Sequence, residues 1–464
     1  MVAKSALGHF LNPASIAVVG ASERPTSSGG AVLRNLRTSG YRGRVVPVNP
    51  RGGAIDGLAV APSLSAMESP VDLVAILVRP DSILNAVAEA ADTGHQHILI
   101  LPGGFAEAGD GGRARDAALR EMATARGLII GGPNCAGVIN LLDPKAPFAA
   151  TFFRAMPRGG AVAMISQSGA IIEEAIDASH AYNIPLGAVV SVGNSMHLGM
   201  VEYLEELGRD ARCQVILLYV ESFGDAARFG AIARAAAKIK PVIALIGGRT
   251  QAGREAAFRH TGSRPADDAA TEEYCRRSGI VRVRSLRRLL LAGKAFGAFP
   301  QGIGKRVLLL SNSGGPGVLA ADQALDEGLD LPQLPAAMSE KLRGFLPAEA
   351  SIANPLDLLA DARADHFAAT LAAALDSGKG HFDAILMIHV VPFMVDAGEV
   401  VEALAAIGKP AKIPILHCMM GTLEHQNDWF ARMESAGVPT FKDAEEMCMA
   451  AGLLMRHRQL NAPH

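Results

Sequence analysis

Short apolar segments alternate with segments of helical character along most of this chain, and this alternation constrains the fold more than any other feature. In the first part, the segments that predict buried strands are 15–20, 44–50, 73–78, 97–101 and 128–134. Strands and helices that alternate at this spacing form right-handed βαβ units and assemble into a doubly wound parallel sheet. We therefore predict an α/β protein.

Two further strand–helix series follow the first. Predicted strands of the second series are 161–166, 187–194, 215–221, 241–246 and 280–283, and the third series begins at 306–311. The signature Ser-x-Ser-Gly occurs in each, at 166–169 and at 311–314, which indicates two versions of one unit. We predict three domains, with boundaries at 1–145, 146–299 and 300–464.

Charge balance and cysteine usage narrow the classes of function. The chain has 44 Lys and Arg against 46 Asp and Glu, so neither nucleic acid nor an anionic membrane is expected as a partner. Its five cysteines form no Cys-x-x-Cys pair and no metal-binding spacing, which predicts a reduced setting without a metal site. Neither a signal-peptide core nor an apolar run of about 18 residues occurs, so we expect a cytoplasmic protein.

A histidine follows one of the predicted strands. The apolar segment 241–246 predicts a buried strand, after which Gly247 and Gly248 begin a polar loop that carries His260. Open α/β sheets place their chemistry at the carboxyl ends of parallel strands. Glu221 ends another strand of the same sheet, where its carboxylate could hold one imidazole nitrogen and leave the other as a nucleophile. A solvated histidine and a strand-end acid facing water are the alternatives.

Both Ser-x-Ser-Gly turns lie between a buried strand and a predicted helix. The first backbone N–H groups of a helix have no partner within it, and glycine lets a phosphate approach them closely. The turns therefore predict a two-sided phosphate site, with a helix cap plus a tight turn as the alternative for each. The residues of this site are Ser166, Ser168 and Gly169 in one turn and Ser313, Gly314 and Gly315 in the other.

The first domain has only part of a dinucleotide-binding fingerprint. Gly20-Ala21-Ser22 lacks the full Gly-x-Gly-x-x-Gly pattern, and the second strand ends in Asn49-Pro50-Arg51 where an NAD site needs an acid. A neutral-to-basic strand end suits a ligand that carries phosphate on its ribose. Coenzyme A and NADP both remain open at this point.

Taken together and in order, these motifs resemble those of the NDP-forming acyl-CoA synthetases, in the succinyl-CoA synthetase superfamily. The resemblance covers nearly the whole chain. The motifs that carry it are 20–22, 48–50, 104–107, 132–140, 166–170, 192–194, 221–225, 248–250, 260–262, 313–318 and 354–357.

The resemblance implies a Rossmann-like CoA-binding domain followed by two flavodoxin-like domains. It implies interconversion of acyl-CoA, ADP and phosphate with a carboxylic acid, CoA and ATP, by way of an acyl phosphate and phospho-His260. In the family, the glutamate at the position of Glu221 steadies the phosphohistidine. The implied CoA-binding residues are Gly20, Ala21, Ser22, Ser28, Val48, Asn49, Pro50, Arg51, Val78, Pro80, Gly104, Phe105, Asn134 and Cys135.

The motifs include no counterpart of the family's ATP-grasp domain. The resemblance therefore implies an α-type subunit of an oligomer, with ATP or ADP and Mg on a separate ATP-grasp β subunit. A CoA-binding sensor or scaffold without turnover is the alternative. An NADP-dependent oxidoreductase is disfavoured, because no Tyr-x-x-x-Lys pair follows the first domain.

Overall fold

A computed structural model describes residues 6–24, 26–261, 266–391, 395–408 and 411–461, and the side chains of residues 259–261 lie outside this description. The chain divides into two compact units, residues 1–286 and 287–464. Within the described residues, no helix is both long and apolar enough to cross a membrane.

The first unit contains two large sheets and a two-stranded one, and the first large sheet is entirely parallel. Its strands are β1 (Ser15–Val19), β2 (Arg44–Val48), β5 (Leu73–Ile76), β6 (His97–Ile100) and β7 (Ile129–Gly131), in the spatial order β2-β1-β5-β6-β7. The other elements are α1 (Gly8–Leu11), α2 (Ser28–Thr38), the paired β3 (Ala54–Ile55) and β4 (Leu58–Ala59), α3 (Pro80–Asp92), a 3-10 turn (Ala106–Ala108) and α4 (Gly109–Arg126). The strand order reverses at β1, so a ligand crevice is expected at the carboxyl ends of β1 and β5.

The second sheet has seven strands. They are β8 (Gly137–Asn140), β9 (Phe148–Thr151), β10 (Val162–Ser166), β11 (Leu186–Ser191), β12 (Val215–Val220), β13 (Val242–Ile246) and β14 (Val281–Val283). Their spatial order is β14-β13-β12-β10-β11-β8-β9. The helices of this part are α5 (Gly169–Ala181), α6 (Met200–Arg209), α7 (Ala226–Ala237), α8 (Gln251–Thr261) and α9 (Asp268–Arg277).

Strands β8 and β9 form the antiparallel edge of the second sheet, whose other strands are parallel. They form an antiparallel hairpin, and β8 pairs antiparallel with β11. The predicted boundary at 145 falls between these two strands. The first strand begins at Gly137, which has a φ of +95° and where a Cβ would lie 2.0 Å from the carbonyl oxygen of Ala150. Glycine is therefore required for the two strands to approach this closely.

The segment before His260 was predicted to be a loop, and this prediction is wrong because the segment forms helix α8. The segment that follows Gly247 and Gly248 is helical from Gln251 to Thr261, and the Thr250 hydroxyl accepts a hydrogen bond from the Gly253 N–H at 3.1 Å. The threonine thus occupies the place of an N-cap, and Ala, Arg, Glu and Gln, all strong helix formers, occupy most of the next positions. His260 is the second-to-last residue of this helix, and its side chain lies outside the description.

The second unit is built on one five-stranded parallel sheet. Its strands are β15 (Val307–Ser311), β16 (Leu356–Asp357), β17 (Ala384–Val390), β18 (Ile415–Met420) and β19 (Thr440–Phe441), in the spatial order β16-β15-β17-β18-β19. Its helices are α10 (Leu286–Ala298), α11 (Gly314–Asp326), α12 (Ala336–Arg343), α13 (Ala364–Asp376), α14 (Ala397–Gly408), α15 (Gln426–Ser435) and α16 (Ala444–Leu460). The α/β class and the parallel, doubly wound character of the sheets confirm the prediction from sequence.

The core of the second unit contains histidines that are buried among apolar side chains. His389 and His417 are fully buried, with ring centroids 6.2 Å apart. Among the described residues, neither ring nitrogen of His389 has a hydrogen-bond partner. Burial lowers the pKa of His389 to about 4 and that of His417 well below the usual value, with the nearby charges of His389 and Lys294 as further causes for His417. Both imidazoles are therefore neutral in the folded protein near pH 7.

Candidate active site

The turn after β1 brings three strand ends together. A Cβ at Gly20, where φ is +93°, would lie 2.7 Å from the carbonyl oxygen of Leu77, so only glycine fits between the ends of β1 and β5. The Asn49 amide donates to the carbonyl oxygen of Ala21 at 2.8 Å and accepts from the N–H of Arg51 at 3.0 Å. This places Gly20, Ala21 and Asn49 beside one another at the expected crevice.

A cavity of about 650 Å³ lies in the first unit, between the carboxyl edge of the first sheet and the start of α5. Five of the residues predicted from sequence line it, namely Ser28, Val78, Asn134, Cys135 and Gly169. Four of them come from the predicted CoA-binding set and Gly169 from the predicted phosphate set. The two sets, which are distant in sequence, therefore meet in one cavity.

The other predicted CoA-binding residues lie next to this cavity or support it. Val48, Ala21 and Phe105 are buried, whereas Pro50 and Arg51 are exposed. Gly104 packs against Pro80, because a Cβ at Gly104 would lie 2.9 Å from that ring. The Ser22 hydroxyl accepts the N–H of Arg24 at 3.1 Å, so its hydrogen bond shapes the turn itself.

Glu107 and Asn194 fix the loops around the cavity; they belong to the motifs 104–107 and 192–194 but were not among the predicted site residues. The Glu107 carboxylate accepts the N–H groups of Gly104 at 2.6 Å and Phe105 at 3.1 Å, and it accepts the Asn194 amide at 2.5 Å. The Asn194 side chain in turn accepts the Asn134 amide at 3.2 Å. Burial acts to raise the pKa of Glu107, but these hydrogen bonds outweigh it and lower the pKa.

Cys135 lines the cavity and does not act as a nucleophile. Its thiol is buried and donates to the carbonyl oxygen of Ile100 at 3.4 Å. Burial raises the pKa of Cys135 to about 12, so the thiol remains protonated at neutral pH.

Residues that the sequence did not single out complete the cavity. They are Arg79, which follows β5, Phe152 and Phe153, which follow β9, and Glu173 on α5. Ser191, at the end of β11, lines the cavity too, and it directly precedes the motif 192–194. Arg79 and Glu173 lie at positions that topology could have indicated. The first is at the carboxyl end of a parallel strand, and the second is four residues after Gly169 on one helix face.

The first Ser-x-Ser-Gly turn is held by its own side chains. The Ser166 hydroxyl accepts the N–H of Ser168 at 3.0 Å and donates to the Ser168 carbonyl oxygen at 2.8 Å. Ser168 is the N-cap of α5, and Gly169 is its first residue. The Gln167 amide oxygen accepts the N–H of Glu221 at 2.5 Å, so the predicted phosphate turn and the predicted acid are joined directly.

The second turn, in the other unit, repeats this arrangement. The Ser311 hydroxyl accepts the N–H of Ser313 at 3.0 Å and donates to its carbonyl oxygen at 2.8 Å. The Asn312 amide exchanges two hydrogen bonds of 2.8 Å with the backbone of Val390, as Gln167 does with its own neighbouring strand. A Cβ at Gly315 would meet nothing within 4 Å, so the start of α11 is open to a ligand.

Glu221 lies beside the strand that leads into α8. A Cβ at Gly247, just after β13, would lie 4.0 Å from Cγ of Glu221 and 3.7 Å from the Tyr219 hydroxyl. Burial, together with the charge of Glu221 and a hydrogen bond to it, raises the pKa of Tyr219. A negative charge is therefore held next to the segment that carries His260. The described residues include no group of three or more His, Cys, Asp or Glu that could hold a metal ion.

Comparison with known proteins agrees with this arrangement. Three family models match, a CoA-binding domain over residues 14–140, a succinyl-CoA ligase-like flavodoxin domain over 159–296 and a ligase-CoA domain over 307–455. The chain is 33% identical to the ADP-forming acetate–CoA ligase II subunit alpha of Pyrococcus furiosus, over 97% of each chain. It is also 33% identical to the ADP-forming acetate–CoA ligase I of Archaeoglobus fulgidus, over 97% of this chain and 63% of that protein.

A solved structure shows the same relationship. It is that of the dinucleotide-forming acetyl-coenzyme A synthetase 1 of Candidatus Korarchaeum cryptofilum in complex with phosphate and ADP, which is 29% identical with a TM-score of 0.90 over 98% of both chains. The resemblance found in the motifs is thus confirmed over nearly the full length. The chain belongs to the family of ADP-forming acetate–CoA ligases, and it corresponds to their alpha subunit.

Proposed function

We propose that this chain is the α-type subunit of an enzyme that interconverts acyl-CoA, ADP and phosphate with a carboxylic acid, CoA and ATP. The observation that carries this proposal is the cavity in which Ser28, Val78, Asn134 and Cys135 meet Gly169 at the start of α5. A thioester held by the first group of residues would extend toward the helix N-terminus, where an incoming phosphate is best stabilised.

The reaction begins with phosphate. One of its oxygens attacks the thioester carbonyl carbon, the carbon–sulfur bond breaks and CoA leaves as a thiolate, which takes up a proton. The phosphoryl group of the resulting acyl phosphate passes to an imidazole nitrogen of His260 and releases the carboxylic acid. Transfer from phospho-His260 to ADP completes the cycle, and the reverse sequence makes acyl-CoA.

The chain's own groups fit these steps. Each Ser-x-Ser-Gly turn is held by its own serine hydroxyl before any ligand arrives, Ser166 in the first unit and Ser311 in the second. The N–H groups at the start of the helix that follows each turn can therefore stabilise a phosphoryl group without reorganisation. We propose that Glu221 accepts a hydrogen bond from the imidazole of His260, which orients the other nitrogen toward the phosphoryl group.

The nucleotide is assigned to a second chain. Because the relatives include a protein named as a subunit alpha, we propose that ATP or ADP and Mg bind a separate ATP-grasp β subunit of the complex. Coenzyme A and a small carboxylic acid are then the ligands of the present chain.

The test of this function is incorporation of labelled phosphate into the purified chain in the presence of acyl-CoA. The expected result is a label that is acid-labile and base-stable, that requires both acyl-CoA and phosphate, and that is lost on addition of ADP and the nucleotide-binding subunit. If CoA binds but no acyl-CoA of a panel gives label with or without that subunit, the chain is a CoA sensor instead.

Arg79 is expected to bind the phosphates of CoA. It lines the cavity at the carboxyl end of β5, is exposed, and its guanidinium forms no ion pair with any described residue. Replacement by alanine should weaken CoA binding roughly tenfold, because a hydrogen-bonded ion pair to phosphate is lost. Titration calorimetry with CoA measures this change.

The matched control for this substitution is Arg42→Ala. Arg42 is also exposed and unpaired among the described residues, but it precedes β2 at the opposite, amino end of the same parallel sheet. Equal losses of CoA affinity in both variants would show that general positive charge, and not Arg79, attracts the ligand.

Glu221→Gln is expected to reduce the yield of phosphohistidine about 10- to 100-fold while leaving CoA affinity unchanged. The neutral amide cannot stabilise the imidazolium character that develops on His260. The same substitution should lower the pKa of Tyr219, because it removes the carboxylate charge that helps to raise it. Ultraviolet titration of the tyrosines checks this second effect, and an unchanged Tyr219 pKa would contradict the assigned geometry.

A further inference from the structure

Helix α5 presents an acidic side chain to the cavity. The residues of α5 that line it are Gly169, Ala170 and Glu173. Residues four apart lie on one helix face, and helical side chains tilt toward the N-terminus, so Glu173 extends back over the turn that Gly169 begins. This is the turn at which the incoming phosphate is proposed to bind.

Among the described residues, Glu173 has no partner that would neutralise it. It is exposed and makes no hydrogen bond or ion pair with any described residue. Of the side chains that line the cavity, it is the single acid, and Arg79, the single base, belongs to the first sheet. Glu173 therefore adds a carboxylate to the part of the cavity next to α5, beside the helix N–H groups that are proposed to bind phosphate.

The remaining wall near β9 is aromatic. Phe152 and Phe153 both line the cavity, their ring centroids are 5.8 Å apart, and Phe152 keeps 37% of its surface exposed. An exposed phenyl ring next to an enclosed space gains from contact with an apolar group. Aromatic rings and a carboxylate together favour an apolar or neutral substituent and disfavour an anionic one.

We propose that Glu173 is a specificity-determining residue that restricts the enzyme to acyl groups without negative charge. The proposal rests on the proposed function, because phosphate bound at Gly169 brings the acyl group to the start of the helix on which Glu173 lies about one turn further along. The terminal carboxylate of a dicarboxylic acyl chain would then lie within a few ångströms of the Glu173 carboxylate. Like charges at such a distance oppose binding, whereas a neutral acyl chain contacts Phe152 and Phe153.

The experiment compares acetyl-CoA with succinyl-CoA, using the full chain together with its nucleotide-binding subunit. For each variant, the ratio of kcat/KM for succinyl-CoA to that for acetyl-CoA is measured with phosphate and ADP. Glu173→Gln is expected to raise this ratio roughly tenfold. The matched control Glu174→Gln changes the next residue of α5, which is equally exposed but does not line the cavity, and should leave the ratio unchanged.

Ionic strength provides a readout that a structural role would not alter. In the wild type, salt should raise the succinyl-to-acetyl ratio because it screens the repulsion, and in Glu173→Gln this dependence should be weaker. A ratio that is the same in the wild type and Glu173→Gln overturns the assignment of Glu173.

The experiment distinguishes failure of the proposed function from failure of the role assigned to Glu173. If the proposed function fails, no uncharged acyl-CoA would be turned over by the wild type, but the charge selectivity is still tested by the dissociation constants of the two thioesters for the full chain. If Glu173→Gln does not change the ratio of these constants, the inference fails as well. If it does, Glu173 governs selectivity in binding only.

Discussion

Replacement of His260 by asparagine is expected to abolish phosphoryl transfer, with a loss of roughly four orders of magnitude in turnover. An amide nitrogen is not nucleophilic, so neither acyl phosphate nor ATP can transfer its phosphoryl group to this position. Labelled phosphate with acyl-CoA, and labelled ATP with the nucleotide-binding subunit, should both fail to label the variant. Attack of phosphate on the thioester does not use His260, so release of CoA thiol in a single turnover should persist.

Two controls show whether the loss of label is specific to His260. The cavity lies on elements other than α8, so the affinity for CoA should be unchanged in His260→Asn. His425→Asn, which alters an exposed histidine of the second unit, should keep wild-type labelling. Stable label on His260→Asn would contradict the role assigned to this histidine.

Acidification is expected to lower the stability of the second unit. His389 and His457 are buried, and burial lowers the pKa of each to about 4, while burial also lowers the pKa of His417. In the unfolded chain these imidazoles bind protons at about pH 6.5, so below that pH the unfolded state binds more protons than the folded state and the free energy of unfolding falls. For His389 alone the loss amounts to about 3 kcal/mol by pH 4 and levels off below the folded pKa.

The chain contains a suitable probe for this unit. Its single tryptophan, Trp429, lies on α15, so urea unfolding followed by its fluorescence from pH 7.5 to pH 4.5 reports the second unit. His389→Met should flatten the pH dependence of the unfolding free energy, whatever its effect at pH 7.5, because methionine does not titrate in this range. Lys294, which is buried, and Glu434, which is partly exposed, form an ion pair at 2.6 Å next to this core, and the pair remains in both proteins. An identical slope in the two proteins would mean that His389 does not cause the acid sensitivity.

The sequence predicts the parallel strands well because each of them is a short apolar run with no polar alternation. Strand β1, with all but its first residue buried, and the fully buried β10 and β15 lie where they were predicted, since a strand covered on both faces must be apolar throughout. Strand β9, Phe148–Thr151, was missed, because it is short and is stabilised by a partner strand and not by its own pattern. Helix α8 was mistaken for a loop, because two glycines at its start outweighed the helix formers that follow.

For the candidate site too, residues in local motifs were predicted from the sequence, whereas residues placed by tertiary contacts were not. Gly20, Asn49 and Asn134 belong to local motifs whose backbone geometry demands those residues, so motif order was sufficient to predict them. Arg79 and Glu173 face the cavity only because β5 ends, and α5 begins, at the same place in the folded unit. Their places at a strand end and on a helix face could be inferred from the sequence, but their meeting in one cavity depends on contacts between segments far apart in sequence, which a single sequence does not reveal.

The hairpin of β8 and β9 limits where such proteins can be divided into fragments that fold. The family model for CoA binding ends at residue 140, the last residue of β8, yet β8 is hydrogen-bonded into the second sheet. The Asn35 amide of α2 also donates to the carbonyl oxygens of Thr151 at 2.7 Å and Phe153 at 2.8 Å. Cutting the chain after residue 140, where the match to the CoA-binding family ends, would leave β8 unpaired in one fragment and the edge strand β11 exposed in the other. The two large sheets of the first unit therefore form one folding unit. Recombination between related genes preserves folding only if it exchanges the segments of both sheets together.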